Sequence, residues 1–197
     1  LFRSQHEEGR LLLFTRLGAQ HIDKLLPPLI EAVKKTKIPV TWSCDPMHGN
    51  TETTSDGIKT RHFDNILLEL KQAWEIHRHM GSHLGGVHFE LTGDNVTECI
   101  GGARGLAADD LKKAYHSLVD PRLNYEQSIE MAIQLSRQVD FDVMLLDLAL
   151  SDKNGIEVLK QIRSEKPRAI VLIFSIHRED EYAIREPVNI RALLRRY

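Results

Sequence analysis

Residues 42–50 read Trp42-Ser43-Cys44-Asp45-Pro46-Met47-His48-Gly49-Asn50. The run from Pro39 to Cys44 predicts a buried strand, and Asp45-Pro46 breaks it into a polar turn carrying a carboxylate and an imidazole. A strand ending in this way presents ligands at the carboxyl edge of a sheet, where α/β folds place their sites. Two later stretches carry carboxylates in comparable settings. Glu90 closes the expected strand Val87-His88-Phe89-Glu90, and Asp120 opens the turn Asp120-Pro121-Arg122-Leu123-Asn124. His48, Glu90 and Asp120 are therefore read as parts of one metal site.

Working outward, Arg10 to Leu17 predicts a strand stopping at Gly18. Ile22 to Thr36 spaces Leu25, Leu26, Leu29, Ile30 and Val33 as a helix does, with Pro27 and Pro28 expected in its first turn. After residue 50 a loop is expected up to Arg61. A helix from Phe63 to Met80 follows, with Ile66, Leu67, Leu70, Trp74 and His77 on one face. A strand (Val87 to Leu91), a Gly-rich loop (Thr92 to Gly105), a short helix from Asp109 and a longer one from Asn124 to Gln138 come next. A more compact unit then begins: strand Phe141 to Leu146 ending in Asp147, helix Gly155 to Glu165, strand Ala169 to Phe174, and a helical stretch near Glu179 to Arg185. The alternation predicts an α/β fold with a mainly parallel sheet, and the boundary between the two parts is expected between Arg137 and Asp140.

The bulk composition narrows the classes. A chain of 197 residues can bury one good core or two small ones, and 27% charged with 42% hydrophobic residues excludes a disordered chain. The net charge of -2, with both signs interspersed, predicts neither nucleic acid nor an acidic membrane as partner. No apolar run approaches the roughly 18 residues of a membrane span, and the N-terminus does not read as a signal peptide. The first residue is Leu1, so the sequence reads as processed, trimmed or part of a longer chain. Cys44 and Cys99 are too few for a disulfide framework. They read as metal ligands or redox partners, or, ahead of these, as small buried hydrophobes in a reducing cytoplasm.

One imidazole with two carboxylates suits Mn²⁺, Fe²⁺, Co²⁺ or Zn²⁺ better than Ca²⁺. Arg16, at the end of an apolar strand, needs a partner for its charge. Either a neighbouring carboxylate meets it, or it grips a phosphate or carboxylate of a substrate. Lys59-Thr60-Arg61 reads as a solvated loop or as a second phosphate site. The stretch from Thr92 to Gly102 has neither a Gly-x-Gly-x-x-Gly fingerprint nor a Walker lysine, which excludes a nucleotide loop.

The run from about Gly9 to Arg137 resembles the C-terminal part of the class II (plant-type) 3-deoxy-D-arabino-heptulosonate 7-phosphate (DAHP) synthases, which open the shikimate pathway to aromatic amino acids. The resemblance rests on Cys44-Asp-Pro-Met-His-Gly-Asn-Thr51, Lys59-Thr-Arg-His-Phe-Asp64, Gly85-Gly-Val-His-Phe-Glu-Leu-Thr-Gly93, Asn95-Val-Thr-Glu-Cys-Ile-Gly-Gly102 and Asp120-Pro-Arg-Leu-Asn124. It implies the closing part of a (β/α)8 TIM barrel. It also implies a divalent metal, Mn²⁺ first, with Co²⁺, Fe²⁺ and Zn²⁺ as alternatives. His48, Glu90 and Asp120 would be three of four metal ligands, the fourth being a cysteine in the family's N-terminal portion. Arg16 would hold phosphoenolpyruvate, with Lys59 and Arg61 as further substrate-binding residues. The implied reaction condenses phosphoenolpyruvate with erythrose 4-phosphate. Self-association, or a complementing N-terminal half, is the expected partner for a partial barrel.

A second resemblance covers Asp140 to about Arg185. Asp142-Val-Met-Leu-Leu-Asp-Leu148, Asp152-Lys-Asn-Gly-Ile-Glu157 and Val171-Leu-Ile-Phe-Ser-Ile-His177 look like the middle of a bacterial response-regulator receiver domain, a partial flavodoxin-like segment. By it Asp147 matches the phosphoacceptor and Ser175 the switch hydroxyl, although the family's Mg²⁺-holding acidic pair and its later lysine are not here. The expected organisation is thus a synthase-like part (1–138), a receiver-like part (139–185) and an unassigned tail (186–197). A bacterial, cytoplasmic source is implied.

Overall fold

The computed structural model describes residues 8–138, 143–147, 163–168 and 170–174. The fold is mixed α/β, and the chain divides into two compact units. One is formed by Leu1–Leu91 with Val96–Leu123, the other by Thr92–Asn95 with Asn124–Tyr197. Among the described residues, no helix is long and apolar enough to cross a membrane.

The first unit is built on strands β1 (Leu12–Thr15), β2 (Thr41–Cys44) and β3 (Leu84–Val87), which pair in parallel in the order β1-β2-β3. Helix α1 (Ile22–Thr36) connects β1 to β2, and helix α2 (Phe63–His79) leads into β3. Each parallel pair is joined by a crossover that includes a helix, as parallel pairing requires. Ile22, Leu26 and Ile30, spaced four apart on α1, are fully buried. Each contributes roughly 2 kcal/mol by leaving water. Leu25 and Leu29, expected on the same face, are instead 46% and 43% exposed. The buried stripe is narrower than apolar spacing alone suggests.

Three further expectations need correction. Pro27 and Pro28 lie inside α1, well past its first turn, which begins where Gly18 O accepts the amides of His21 and Ile22. The carbonyls these prolines leave without amide donors belong to Asp23 and Lys24, on the exposed side of the helix, where water can replace the donors. The third strand ends at Val87 rather than Leu91, because its partner β2 ends at Cys44 and the register Ser43↔Gly86, Cys44↔Val87 exhausts the ladder. Glu90 thus projects from the segment after the strand. Finally, the expected loop up to Arg61 holds a 3-10 turn (His48–Asn50) and a hairpin, β4 (Thr51–Thr53) with β5 (Lys59–Arg61), closed through Gly57 at φ 80°. Glycine is needed there because side-chain-bearing residues rarely adopt positive φ.

Close approach of backbone sets the spacing of the loops after β1 and β2. A Cβ on Gly18 would lie 2.6 Å from Gly49 O, and one on Gly49 would lie 2.4 Å from Gly18 N. Both positions must be glycine for these loops to touch.

In the second unit, helix α3 (Tyr125–Gln138) starts with reciprocal capping. Asn124 Oδ1 accepts the Gln127 amide at 2.9 Å, and Gln127 Oε1 accepts the Asn124 amide at 3.2 Å. Strands β6 (Val143–Asp147) and β7 (Ile170–Phe174) pair in parallel from Val143↔Ile170 to Asp147↔Phe174. Of the expected helix 155–165, residues 163–165 are described and helical. Ser175, the stretch near Glu179 to Arg185 and the tail lie outside the described residues.

Candidate metal centre

His48, Glu90 and Asp120 converge. One ligand atom from each lies within 4.8 Å of the others. His48 Nε2 is 3.5 Å from Glu90 Oε1 and 4.0 Å from Asp120 Oδ2. Donors bound to one ion at about 2.1 Å sit roughly 3–4 Å apart, so small side-chain rotations would close this set around a cation. The three side chains are 24–27% exposed, open enough for an ion to enter from solvent.

Each carboxylate divides its oxygens between two tasks. Glu90 Oε2 is held by the Arg61 guanidinium, leaving Oε1 toward His48. Asp120 Oδ1 faces Lys59 Nζ at 3.5 Å, leaving Oδ2 toward the same imidazole. The set therefore fits a divalent ion bound by one nitrogen and two single carboxylate oxygens, with room for further ligands. Cys44 and Cys99 are buried, form no disulfide and lie outside this set. Burial pushes the Cys44 thiol far up, reinforced by Glu69 and Asp45, and burial pushes Cys99 up to about 12. Both are buried in the core, as small hydrophobic side chains are.

Arg61 differs from the solvated loop weighed for its segment. Thr60 and Arg61 are fully buried, and Lys59 is half exposed. Arg61 donates to Glu90, to Pro121 O and, through Nε at 2.8 Å, to Thr51 Oγ1. One buried cation thereby ties the hairpin to both segments that bear carboxylate ligands. Arg16, with its side chain 56% exposed, places Nε 3.0 Å from Asp45 Oδ2. It has the neighbouring carboxylate anticipated as one of its two readings, and it still reaches solvent.

Backbone contacts deliver the ligands. The Glu90 and Asp120 segments meet because Leu123 N donates to Glu90 O at 3.0 Å, next to the parallel bridge Leu91↔Leu123. His48 stacks on His88 with ring centroids 6.3 Å apart, and His88 N donates to Cys44 O. Asp45 is completely buried and accepts the Met47 and His48 amides on Oδ1, at 3.1 and 3.2 Å. Its Oδ2 lies 2.7 Å from His48 Nδ1.

Two other buried carboxylates hold the loops, and sequence reasoning missed both. Glu69 on α2 accepts the Leu17 and Gly18 amides at 3.1 and 3.0 Å, and Asn50 Nδ2 at 2.7 Å. Asn50 in turn binds the Ala19 amide through Oδ1, joining the loops after β1 and β2. Burial raises the Glu69 carboxyl above its ordinary value, partly offset by these donors. Glu98 accepts the amides of His116, Ser117 and Arg122 together with the Arg122 guanidinium, and so shapes the loop that ends in Asp120. Burial pushes its carboxyl up, but Arg122 and the backbone donors outweigh burial and hold it below the usual range.

One imidazole and two carboxylates brought together on loops beside a parallel sheet define a candidate divalent-metal site in an α/β protein. The comparisons narrow the class. Residues 2–136 match the Class-II DAHP synthetase family, to which the chain belongs, and residues 119–188 match the response regulator receiver domain. The chain is 49% identical over 134 residues to the phospho-2-dehydro-3-deoxyheptonate aldolase AroG of Mycolicibacterium smegmatis, a match covering 68% of this chain and 29% of that protein. It is 52% identical over 128 residues to the phospho-2-dehydro-3-deoxyheptonate aldolase of Neurospora crassa, covering 64% and 27%. The corresponding Streptomyces coelicolor protein is 48% identical over 128 residues, covering 65% and 28%. The chain thus spans under a third of the length of the curated relatives it matches.

Glu98→Gln is expected to cost about 2–4 kcal/mol in urea unfolding, because an amide accepts at one oxygen and leaves buried donors unpaired. Because folding lowers the Glu98 pKa, its contribution is full above the ordinary value of 4.5 and declines as pH falls through the depressed folded value. The gap between wild type and variant should therefore be widest near neutral pH and narrow in acid. A constant gap across that range would contradict the assignment.

Proposed function

We propose that this chain supplies the metal-holding rim of a 3-deoxy-7-phosphoheptulonate synthase centre, a transferase that condenses phosphoenolpyruvate with erythrose 4-phosphate. The observation that carries the reading is the convergence of His48, Glu90 and Asp120 within 4.8 Å. His48 Nε2, Glu90 Oε1 and Asp120 Oδ2 would hold the ion, Mn²⁺ first, with Co²⁺, Fe²⁺ or Zn²⁺ as alternatives. When bound, such an ion polarises an aldehyde oxygen as a Lewis acid and so favours attack by the enol carbon of phosphoenolpyruvate.

Charge arithmetic supports an anionic substrate. Asp45, Glu90 and Asp120 bring three negative charges, and Arg16, Lys59 and Arg61 bring three positive ones. With His48 neutral these cancel, so a divalent cation leaves the centre with two positive charges for a phosphorylated substrate to neutralise. Arg16, open to solvent, binds the phosphate or carboxylate of phosphoenolpyruvate by charge-assisted hydrogen bonds. Lys59, also exposed, is placed to meet a second phosphate. Arg61 acts from behind Glu90, aiming the carboxylate instead of meeting substrate. Holding both reactants in line contributes rate by positioning alone.

The same proposal covers the barrel. The parallel order β1-β2-β3 suits consecutive strands of a (β/α)8 barrel, in which remaining strands would cover Leu12 and Phe14, 46% and 54% exposed on β1. Self-association or a complementing N-terminal half would satisfy that edge. We place the boundary between the synthase-like and receiver-like parts at residues 138/139, in a bacterial cytoplasmic protein. The receiver match favours a second, weaker reading in which Asp147, closing β6, accepts a phosphoryl group. Incubation with acetyl phosphate and Mg²⁺ tests it, and the absence of any added phosphoryl group on Asp147 would end it.

The main reading is tested by following phosphoenolpyruvate consumption with erythrose 4-phosphate and Mn²⁺, with and without a separately expressed N-terminal half. Consumption is expected with the complement, and His48→Ala should lower it at least about 100-fold, since even outer partners of a metal site are worth 10–100-fold. Equal rates in wild type and His48→Ala would refute the reading.

A further inference from the structure

We propose that Asp45 is the positioning residue of this centre: one buried carboxylate fixes the His48 tautomer that exposes Nε2 to the metal, and the same oxygen steadies Arg16. The inference rests on the metal reading above and adds a residue to it.

Four polar groups face the Asp45 carboxylate. Met47 N and His48 N point at Asp45 Oδ1. Arg16 Nε forms an ion pair with Oδ2 at 3.0 Å, and His48 Nδ1 lies 2.7 Å from the same oxygen. Asp45 is fully buried, so water cannot replace any of these partners. An ionised carboxylate has acceptor positions for all of them and no hydrogen of its own to give. Arg16 is always protonated and can only donate. The contact at His48 Nδ1 must then be N–H···O, which leaves the lone pair of the neutral ring on Nε2. That nitrogen faces Glu90 Oε1 and Asp120 Oδ2.

The opposite tautomer would place a hydrogen on Nε2 and close the ring to a metal ion. It would also set two lone pairs against each other at 2.7 Å. An outer carboxylate that settles this choice, and raises the basicity of the ring, is commonly worth 10–100-fold in metal affinity. Sharing Oδ2 adds a geometric consequence: Arg16 is anchored beside the residue that holds the metal, which sets the separation between anion grip and ion. Asp45 touches neither substrate nor metal and acts through these two side chains.

An amide cannot serve all four donors. In Asp45→Asn the backbone amides of Met47 and His48 are fixed, so the amide oxygen is retained on their side. Its NH2 then turns toward Arg16 and His48. The ring must present Nδ1 as acceptor and carry its hydrogen on Nε2.

The test is ¹⁵N imidazole spectroscopy on the full metal-free chain at a pH of about 8, above the ordinary imidazole range, with His48→Gln to assign the signal. The same samples are then titrated with Co²⁺ or Mn²⁺ alone. Wild type should show His48 protonated at Nδ1, and Asp45→Asn should show it protonated at Nε2, with metal dissociation constants raised about 10–100-fold. A wild-type ring protonated at Nε2 overturns the proposal without any variant, so it remains testable if Asp45→Asn does not fold. Unchanged tautomer and metal affinity in a folded Asp45→Asn overturn it as well. If Asp45→Asn reverses an Nδ1–H tautomer in a protein that takes up no metal, the role of Asp45 stands and the metal reading falls.

Discussion

An ionised carboxylate taken out of water costs several kcal/mol unless donors surround it, and the loops of this protein are organised by that constraint. Asp45, Glu69 and Glu98 are each fully buried, and each accepts at least two amides from irregular backbone. They fix chain segments that carry no ladder hydrogen bonds of their own. Glu69 joins the loops after β1 and β2 through Leu17, Gly18 and Asn50. Asp45 shapes the turn bearing His48, and Glu98 shapes the loop bearing Asp120. Site geometry therefore depends on acceptors that never reach the site's solvent face. Such a network is high in stakes, because removing one acceptor leaves several buried donors unmet.

The basic residues complete the arrangement. Arg61 is buried and ties Glu90 to the Pro121 carbonyl beside Asp120, while Lys59 lies against the far oxygen of Asp120. Two carboxylates brought this close would repel one another unless neutralised. A cation lies behind each, Arg61 at Glu90 and Lys59 at Asp120, and one oxygen of each carboxylate turns to a common point. A bound ion then meets a preformed set of donors rather than having to gather them.

Much of this was legible in the chain. The bounds of α1 follow from its apolar spacing, and placing ligands beyond the ends of parallel strands leads to His48 and Glu90, while Asp120 was read from its turn. Periodicity was less able to separate neighbours such as Leu26, fully buried, from Leu25, nearly half exposed. The hairpin Thr51–Thr53 with Lys59–Arg61 was missed because three-residue strands rich in Thr and charge give little hydrophobic alternation. Glu69 and Glu98 were illegible for a different reason. A glutamate on a charged helix or in a polar loop looks solvated, and the partners that make Glu69 buried lie 51 and 52 residues away in the chain. No local pattern carries that information.

The proposed centre puts one imidazole nitrogen and two carboxylate oxygens on a single ion. Anomalous diffraction from crystals grown with Mn²⁺, collected on both sides of the manganese absorption edge, addresses it most directly. One dominant peak is expected about 2.1 Å from His48 Nε2 and similarly close to Glu90 Oε1 and Asp120 Oδ2. A peak bound elsewhere, or none at this point in crystals that hold manganese at other sites, would contradict it.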